Sequence, residues 1–194
     1  MFNKIRKYLS TKVVGIAGCG GLGSNCAISL ARVGIGKLII ADFDIVTEAN
    51  LNRQYFFYDQ IGEKKVYALY NNLLRVNPNV RVEPYDIKLD ADNIIKIYSE
   101  CDIIIEAFDL AEMKEMIIET VQNTFPSKPL ISGIGIAGWG DNNSIRTFHY
   151  GNLYVCGDGF KEISDELPPL APRVCIVANM QANQTLEILL ADFK

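Results

Sequence analysis

A cluster of glycines near the N-terminus has the spacing of a phosphate-binding loop. Gly18, Gly20 and Gly23 match the pattern G-x-G-x-x-G, directly after an apolar run and at the start of a helix-like segment. The first glycine permits a tight turn, the second lets the backbone approach a phosphate, and the third lets helix and strand pack closely. The loop, which also contains Gly21 and Leu22, therefore predicts a nucleotide site without separating NAD, FAD, S-adenosylmethionine and ATP.

Two aspartates follow the second apolar run of the chain. Asp42 ends that run, where nucleotide-binding folds place an acidic residue against the ribose hydroxyls. Asp44 comes two residues later and is a second candidate for the nucleotide side. This pattern fits a dinucleotide and ATP equally well, and a surface carboxylate that caps the next turn is the alternative interpretation.

A polar segment with positive charges comes after these aspartates. It contains Asn50, Asn52, Arg53 and Gln54, and Lys65 lies a little further along the chain. An enzyme that acts on a triphosphate needs such charge here, because guanidinium and ammonium groups offset the charge of the α-phosphate and of the leaving pyrophosphate. A hydride-transfer enzyme needs little. Each residue alone would most often be a solvated surface charge, so it is their joint order that favours triphosphate chemistry.

The elements that must position these residues are predicted from apolar periodicity as alternating strands and helices. The predicted strands are Val13–Ala17, Lys37–Asp42, Val80–Tyr85, Asp102–Ala107 and Pro129–Gly135, with Ser144–Tyr150 as an antiparallel addition. The predicted helices are Met1–Lys12, Gly21–Val33, Glu63–Val76, Asp90–Ser99, Ala111–Asn123 and Val174–Ala191. Residues 43–61 are predicted as a long connection and residues 151–173 as irregular. This order favours a Rossmann-like, doubly wound α/β fold, with a mainly parallel sheet and helices on both faces.

Length and composition indicate the number of domains, the class of partner and the cellular location. The chain has 194 residues, of which 49 % are hydrophobic, so we expect one domain over residues 1–194. The net charge of −4 gives no reason to expect nucleic acid as a partner. No apolar run approaches the ~20 residues that cross a bilayer, and the N-terminus lacks the apolar stretch of a secretory signal. Five scattered cysteines without C-x-x-C spacing are typical of reduced thiols, which predicts a cytoplasmic protein without a zinc knuckle.

Several segments together resemble the ThiF/MoeB/ubiquitin-activating-enzyme superfamily, and the resemblance covers nearly the whole chain. Because the chain is short and lacks zinc-binding cysteine pairs, it is most similar to a compact ThiF subgroup linked to thiamine biosynthesis. The matching segments are Gly18–Gly23, Asp42-Phe43-Asp44, Asn50-Leu51-Asn52-Arg53-Gln54, Gly62-Glu63-Lys64-Lys65 and Cys101-Asp102 through Asp109.

The resemblance implies a role for each matching residue on the nucleotide side. The glycine loop would hold the nucleotide backbone, and Asp42 would hold the ribose. Asn50 and Arg53 would contact phosphates, with Arg53 as an arginine finger on the transferring centre. Gln54 would help to shape that site, and Lys65 would neutralise the phosphates.

The resemblance also implies a metal, a reaction and partners. Asp109 would hold Mg²⁺ and would complete a catalytic set with Arg53 and Lys65. In the family reaction, the C-terminal glycine carboxylate of a ubiquitin-like sulfur carrier ending in Gly-Gly attacks the α-phosphorus of ATP, which gives an acyl-adenylate and pyrophosphate. Because the carrier brings its own nucleophile, positioning and electrostatics remain for the protein. Family members tend to form homodimers, and in some of them an N-terminal arginine reaches the neighbour's ATP; Arg6 is the candidate here.

The chain also departs from its relatives in its cysteines. Many relatives carry two C-x-x-C pairs that bind zinc, whereas Cys156 has no partner in its region, so no zinc is expected. Some relatives bond covalently to the carrier through a cysteine in the crossover loop. Cys156 and Cys175 only flank the corresponding segment, and both are interpreted as small buried residues. The single histidine, His149, is interpreted as structural.

Two other functions remain open at this point. The first is an NAD(P)-dependent oxidoreductase, although the only Y-x-x-x-K match, Tyr8 to Lys12, precedes the first strand. The second is a non-catalytic half of a heterodimer, which would be expected to lose Arg53 and Asp109. Within the main hypothesis, the carrier could serve the synthesis of thiamine, molybdopterin or another sulfur product. A related activity on a different carboxylate, such as one on a modified tRNA base, is a further alternative.

Overall fold

The strands of the chain form a single mixed sheet. The computed structural model describes residues 1–193. The strands are β1 (Val13–Ala17), β2 (Lys37–Asp42), β3 (Arg81–Asp86), β4 (Ile103–Glu106), β5 (Leu130–Gly133), β6 (Arg146–Tyr150) and β7 (Leu153–Gly157). Their order across the sheet is β3-β2-β1-β4-β5-β7-β6, with only the β6–β7 pair antiparallel. The predicted fold class is confirmed.

Within residues 1–193, six α-helices connect and cover these strands. They are α1 (Phe2–Leu9), α2 (Gly21–Val33), α3 (Lys65–Val76), α4 (Ala91–Tyr98), α5 (Ala111–Thr124) and α6 (Ala171–Leu189), and single 3₁₀ turns lie at Glu48–Asn50, Tyr58–Gln60 and Asn142–Ser144. Helix α3 begins at Lys65 rather than at the predicted Glu63, because residues 62–64 still bond back to the connection through the amide of Gly62 and the carbonyl of Val46. None of the helices in residues 1–193 combines the length and apolar character needed to cross a bilayer.

The core lies in two layers because the inner strands bury both of their faces. In β4, Ile103 and Ile105 point into one apolar cluster, which contains residues of α1, α2, α3 and α6. Ile104 points into the other cluster, with residues of α4 and α5. Strands that are buried on both faces are continuously apolar rather than alternating, which explains why the sequence Ile103-Ile104-Ile105 belongs to a strand.

The strand order places a crevice between β1 and β4. From β1 the chain adds β2 and β3 on one side, and from β4 it adds the remaining strands on the other. In such sheets, ligands bind outside the carboxyl ends of the strands at this reversal. The glycine loop leaves β1 and residues 107–109 leave β4, so the two segments flank the crevice.

The prediction that residues 151–173 are irregular is wrong for Leu153–Gly157, which form β7, and for residues 171–173, since α6 begins at Ala171 rather than at the predicted Val174. This strand pairs parallel to β5 and antiparallel to β6, so it joins the antiparallel addition to the main sheet. The addition predicted over Ser144–Tyr150 is confirmed as β6. A two-residue turn, Gly151-Asn152, connects the strands, and Gly151 has φ of 60°, which hairpin turns of this length require.

Candidate functional site

A cavity of about 610 Å³ opens at the carboxyl ends of the strands, a size typical of small-molecule sites. All but two of the predicted site residues line it. The lining residues from that prediction are Gly18, Gly20, Gly21, Leu22, Asp42, Asp44, Arg53, Gln54, Lys65 and Asp109. The sheet therefore brings together side chains that are spread over more than 90 positions of the sequence.

The glycine loop has the close backbone packing that its pattern predicts. Gly18 has φ of 98°, a left-handed conformation that favours glycine. A Cβ on Gly23 would lie 1.8 Å from the carbonyl oxygen of Gly18, so helix α2 can approach β1 only without a side chain there. Gly20 caps α2, and its carbonyl accepts a hydrogen bond from Ser24 Oγ (2.6 Å). Gly23 therefore shapes the loop but does not line the cavity.

Asp42 ties the ends of β1 and β2 together. Its Oδ2 accepts a hydrogen bond from the amide of Cys19 (2.6 Å), and its Oδ1 accepts one from the amide of Asp44 (2.9 Å). Burial, together with the Asp42 carboxylate, raises the pKa of the Cys19 thiol well above its ordinary value, although Lys65 acts in the opposite direction. The cysteine inside the glycine loop is therefore held as a neutral thiol, which is a poor nucleophile.

Lys65 provides an ammonium group at the edge of the cavity. Its Nζ lies 2.8 Å from Asp44 Oδ2, and its amide donates to the Asp44 carbonyl (3.0 Å), which fixes the start of α3. The Lys65 side chain is 8 % exposed, whereas that of Asp44 is 50 % exposed. Because Asp44 can return to solvent at little cost, the ammonium is available to a competing anion in the cavity.

Arg53 is held by its backbone and has its guanidinium on neutral acceptors. Its Nη1 donates to the Ala49 carbonyl (3.1 Å) and to Asn52 Oδ1 (2.8 Å). The side-chain Nδ2 of Asn25 donates to the carbonyls of both Arg53 (2.9 Å) and Gly21 (2.7 Å). Asn25 thus fixes the arginine to the first turns of α2, a positioning role that the sequence analysis missed. The available signal was a polar residue in a helix that otherwise packs in the core.

Gln54 and Asn50 differ in what the structure shows. Gln54 is 8 % exposed and faces the glycine loop, and its Oε1 is buried without a hydrogen-bond partner among residues 1–193. A buried acceptor of this kind is costly unless a ligand donates to it. Asn50 lies outside the cavity lining, and its Oδ1 accepts from the amide of Thr47 (3.1 Å). Asn50 thereby stabilises a turn, and this geometry gives no support to its predicted phosphate contact.

Asp109 follows β4, and its exposed side chain lines the cavity. No group of three or more His, Cys, Asp or Glu residues within 1–193 is placed to hold a metal ion. A single carboxylate still fits Mg²⁺, because this ion commonly binds one or two carboxylates and takes its remaining oxygens from phosphates and water. Asp109 could therefore hold Mg²⁺ together with a bound triphosphate.

A buried carboxylate supports the segment that carries Asp109. Glu106, at the end of β4, has a fully buried side chain, and both of its oxygens lie 2.9 Å from Lys114 Nζ. It also accepts from the amide of Phe108 (2.6 Å), and Lys114 Nζ reaches the Gly133 carbonyl (2.9 Å). This network joins β4, β5 and α5 immediately before Asp109. This network was not predicted from the sequence, because Glu106 lies within an apolar run.

The apolar walls of the cavity were likewise not predicted from the sequence. Hydrophobic residues in connections give no periodic signal, so only the fold shows that they share a surface. One wall includes Lys88, whose Nζ lies 5.9 Å above the Phe43 ring. The apolar lining residues are Phe43, Ile87, Leu89, Phe108, Leu110, Met113, Ile136, Ile163, Pro168 and Pro169.

Arg6 lies away from the cavity of its own chain. Its side chain packs on Gly34, which precedes β2, and lines a separate cavity with Arg81 at the amino ends of the strands. Its predicted role in a neighbouring subunit stays a prediction. His149 stacks on Tyr154 with ring centroids 4.3 Å apart in the β6–β7 hairpin, outside the lining of the main cavity, which agrees with a structural role.

Comparison with known proteins shows which family this fold and site belong to. A model of the ThiF family matches residues 2–193, and the chain belongs to this family. It is 32 % identical over 149 residues to the adenylyltransferase and sulfurtransferase MOCS3 of Xenopus laevis, covering 76 % of the chain but only 32 % of that protein. It is 28 % identical over 183 residues to the molybdopterin-synthase adenylyltransferase of Escherichia coli, covering 90 % of the chain and 71 % of the relative.

A solved structure supports the fold. The chain is similar to E. coli tRNA N6-threonylcarbamoyladenosine dehydratase, TcdA, in complex with AMP, with a TM-score of 0.88 and 20 % sequence identity. The alignment covers 97 % of the chain and 90 % of that structure. At this identity the likeness shows the fold alone, since folds host many reactions.

Proposed function

We propose that this chain uses ATP to adenylate the C-terminal glycine carboxylate of a ubiquitin-like sulfur carrier and releases pyrophosphate. The observation that carries this proposal is the meeting of Arg53, Lys65 and Asp109 with the glycine loop around one cavity. A triphosphate needs cations, a metal-binding carboxylate and backbone amides, and these are the groups that the cavity offers. Membership of the ThiF family, with an adenylyltransferase among the relatives, supports the same reaction.

The proposed step forms one bond to phosphorus and breaks another. An oxygen of the carrier's carboxylate attacks the α-phosphorus of ATP, and the bond to the β,γ-pyrophosphate breaks with its electron pair leaving on pyrophosphate. A C-terminal carboxyl has a pKa of about 3.5 and is already ionised at neutral pH, so no general base is required. This agrees with a cavity whose lining contains no histidine and in which the loop cysteine is a neutral thiol.

The chain's own residues would stabilise the charge that moves during this step. Arg53 would bind the phosphate oxygens with a planar guanidinium that stays charged throughout. Lys65 would exchange its contact with Asp44 for a phosphate. Asp109 would hold Mg²⁺, which would supply positive charge to offset the charge of the phosphates. Asp42 and the orphaned Gln54 Oε1 are the acceptors that could take ribose hydroxyls.

We further propose a ThiS-like carrier in thiamine biosynthesis and a homodimer, on the resemblance to compact ThiF proteins. The oxidoreductase alternative finds no support in this geometry. Its candidate pair lies at the opposite edge of the sheet, where Tyr8 packs on Phe193 with ring centroids 5.3 Å apart and Lys12 lies 3.9 Å from Asp102. The non-catalytic alternative would be expected to lack Arg53 or Asp109, and both line the cavity.

Exchange of labelled pyrophosphate into ATP tests the proposal. The purified chain is incubated with ATP and each small ubiquitin-like protein of the same cell that ends in Gly-Gly. We expect exchange with one of these carriers and none with the same carrier after removal of its two terminal glycines. Absence of exchange with every intact carrier, or exchange that survives the removal of the glycines, would contradict the proposed substrate.

A further inference from the structure

A buried ion pair, formed by Asp158 and Arg173, lies beside the cavity. Asp158 directly follows β7 and Arg173 lies in the first turn of α6; their side chains are 0 % and 2 % exposed, and Arg173 Nη2 donates to Asp158 Oδ2. The other oxygen, Oδ1, accepts from the amides of Phe160 (3.1 Å) and Lys161 (3.0 Å). Neither member of the pair lines the cavity.

The same guanidinium also binds both ends of a loop. Arg173 Nε donates to the Gly135 carbonyl (3.0 Å), and Nη1 donates to the Gly140 carbonyl (2.8 Å). Residues 135–140, which we call the tip loop, are therefore closed at their base by a single side chain. A planar guanidinium presents several donors in fixed directions, which a lysine cannot do.

The backbone of the tip loop is shaped to admit this pair. Gly135 and Gly140 have φ of 65° and 67°, so the two residues bound by the arginine adopt conformations that favour glycine. A Cβ on Gly135 would lie 2.0 Å from Asp158 Oδ1. The close approach of loop and carboxylate thus depends on glycine, which is consistent with a loop built around the ion pair.

The tip loop in turn holds residues 158–170, which connect β7 to α6 and which we call the crossing segment. The amide of Gly138 donates to the Pro168 carbonyl (2.9 Å), and Ala137 and Gly138 both form β-bridges with Pro169. Ile136 of the loop and Pro168 and Pro169 of the crossing segment line the cavity. One ion pair therefore fixes two neighbouring segments that form one wall of the cavity.

The position of this wall indicates which substrate it meets. The glycine loop follows β1 and Asp42 ends β2, whereas the tip loop follows β5 and the crossing segment follows β7. Adjacent strands are about 4.8 Å apart, so the ends of β7 and β2 are separated by roughly 19 Å across the sheet. The wall consequently lies at the end of the cavity away from the ribose-binding position, on the side from which an acyl substrate can reach the α-phosphate.

We propose that Asp158 and Arg173 are positioning residues that hold the tip loop and the crossing segment in place to receive the carboxyl-terminal tail of the acyl substrate. This inference rests on the proposed function for the identity of that substrate. Neither residue touches the reacting atoms; each acts through the backbone that it fixes.

The chain contains an internal probe of this loop. Trp139 is the only tryptophan of the sequence, lies in the tip loop and is 66 % exposed. Time-resolved fluorescence anisotropy of Trp139 therefore reports the order of the loop without any substrate. We expect the nanosecond mobility of Trp139 to increase in Arg173→Gln and in Asp158→Asn. We expect the same in Arg173→Lys, which keeps the positive charge but loses the planar arrangement of several donors.

Two further variants keep this experiment decisive. The double variant Asp158→Asn/Arg173→Gln leaves no uncompensated buried charge, and so it tests the loop even if a single variant unfolds. Lys37→Gln is the matched control, because it removes contacts to Glu83 (2.8 Å) and Glu100 (2.7 Å) at the opposite edge of the sheet. Unchanged Trp139 mobility in the folded Arg173 and Asp158 variants would overturn the proposal.

Steady-state kinetics distinguish a positioning role, which affects the carrier alone, from a general disturbance of the site, which affects ATP and carrier alike. In folded variants we expect the dissociation constant of ATP to stay within about 2-fold of the wild-type value and the KM for the carrier to rise about 10-fold or more, as for any loss of ~1.4 kcal/mol of binding. Equal losses for ATP and carrier would overturn the positioning role. If the wild-type chain shows no carrier-dependent exchange, the proposed function and the acyl-substrate assignment fail together, and the anisotropy still decides whether the pair holds the loop.

Discussion

The two ends of the cavity use charge in opposite ways. At the end lined by the glycine loop, which is the proposed nucleotide site and is called the nucleotide end below, Arg53 rests on neutral oxygen acceptors and Lys65 is paired with a half-exposed aspartate. Behind the wall at the other end, Asp158 and Arg173 are buried against each other, and the guanidinium donates to the Asp158 carboxylate and to the carbonyls of Gly135 and Gly140. The first pair of cations is available to a ligand, whereas the second pair of charges is fully used in holding backbone.

This difference shows why a charged residue near a site need not bind the substrate. Burying an ion pair costs desolvation that its mutual attraction repays only with good geometry and further hydrogen bonds, as at Arg173. Such a pair fixes a conformation. A cation that must neutralise a phosphate instead has to remain free to change partners, as the contact between Lys65 and Asp44 allows.

The largest effect on stability and ATP binding is expected at the glycine loop, where helix and strand pack backbone against backbone. Gly23→Ala places a methyl group 1.8 Å from the Gly18 carbonyl oxygen, and we expect a loss of about 3 kcal/mol in the free energy of unfolding together with loss of ATP binding. Urea denaturation measures the first and calorimetric titration of ATP the second.

Gly20→Ala is the control for that substitution. Its Cβ would meet nothing closer than Gln54 Nε2 at 3.7 Å, so we expect near-normal stability but weaker ATP binding, because a phosphate can no longer approach the backbone. If Gly23→Ala proved as stable as Gly20→Ala, the packing described for the glycine loop would be wrong.

Arg53→Ala tests the available charge at the nucleotide end. Removing a donor to the transition state typically lowers a rate by about 100- to 1000-fold, and we expect a loss of this size in carrier-dependent pyrophosphate exchange. Stability should change by only about 0.5 kcal/mol, as for a partly exposed side chain. Arg75→Ala, whose guanidinium lies 5.5 Å above the Phe57 ring outside the cavity lining, serves as the control and should exchange normally.

The smallest effect is the change of stability with pH that comes from the Asp158 carboxyl, behind the wall formed by the tip loop and the crossing segment. Burial alone would raise the pKa of the Asp158 carboxyl, but the amides of Lys161 and Phe160 and the Arg173 guanidinium outweigh burial and hold the pKa below its ordinary value. Because the folded pKa lies below the unfolded one, this carboxylate stabilises the fold above the unfolded pKa of about 3.9, and the contribution is lost as the pH falls through the folded value.

Asp158→Asn should therefore be less stable than the wild type at pH 7, and the difference should shrink as the pH falls below about 4. Urea denaturation midpoints from pH 7 to pH 3 measure it. A difference that stays constant over this range, or that grows towards acid, would show that the ionised carboxylate does not stabilise the fold.

The nucleotide end was predictable because its signals are local. The glycines of the loop lie within six positions, and Asp42 ends a strand that the sequence marks by its apolar run. Arg53 and Lys65 gained meaning from their order in a family pattern. The phosphate contact of Asn50 stays a prediction. In the structure its Oδ1 accepts from the amide of Thr47, an orientation that a sequence pattern does not show.

The other end was not predictable because its partners meet only in the fold. Asp158 and Arg173 are separated by a proline-containing segment without periodicity, and the carbonyls that Arg173 binds belong to glycines that give no directional signal. Strand β7 did carry a signal, the Gly151-Asn152 pair between two β-rich runs, which is typical of a two-residue hairpin. The three prolines after it favoured an irregular interpretation of the whole segment.

The central claim is that a carboxylate attacks the α-phosphorus of ATP in this cavity, and oxygen labelling tests it most directly. A Gly-Gly carrier with both oxygens of its C-terminal carboxylate replaced by ¹⁸O is incubated with the chain and ATP, and the acyl group is trapped with hydroxylamine, which attacks the acyl carbon. The account predicts AMP with one ¹⁸O atom, because the bridging oxygen leaves with phosphorus. AMP without ¹⁸O would contradict it.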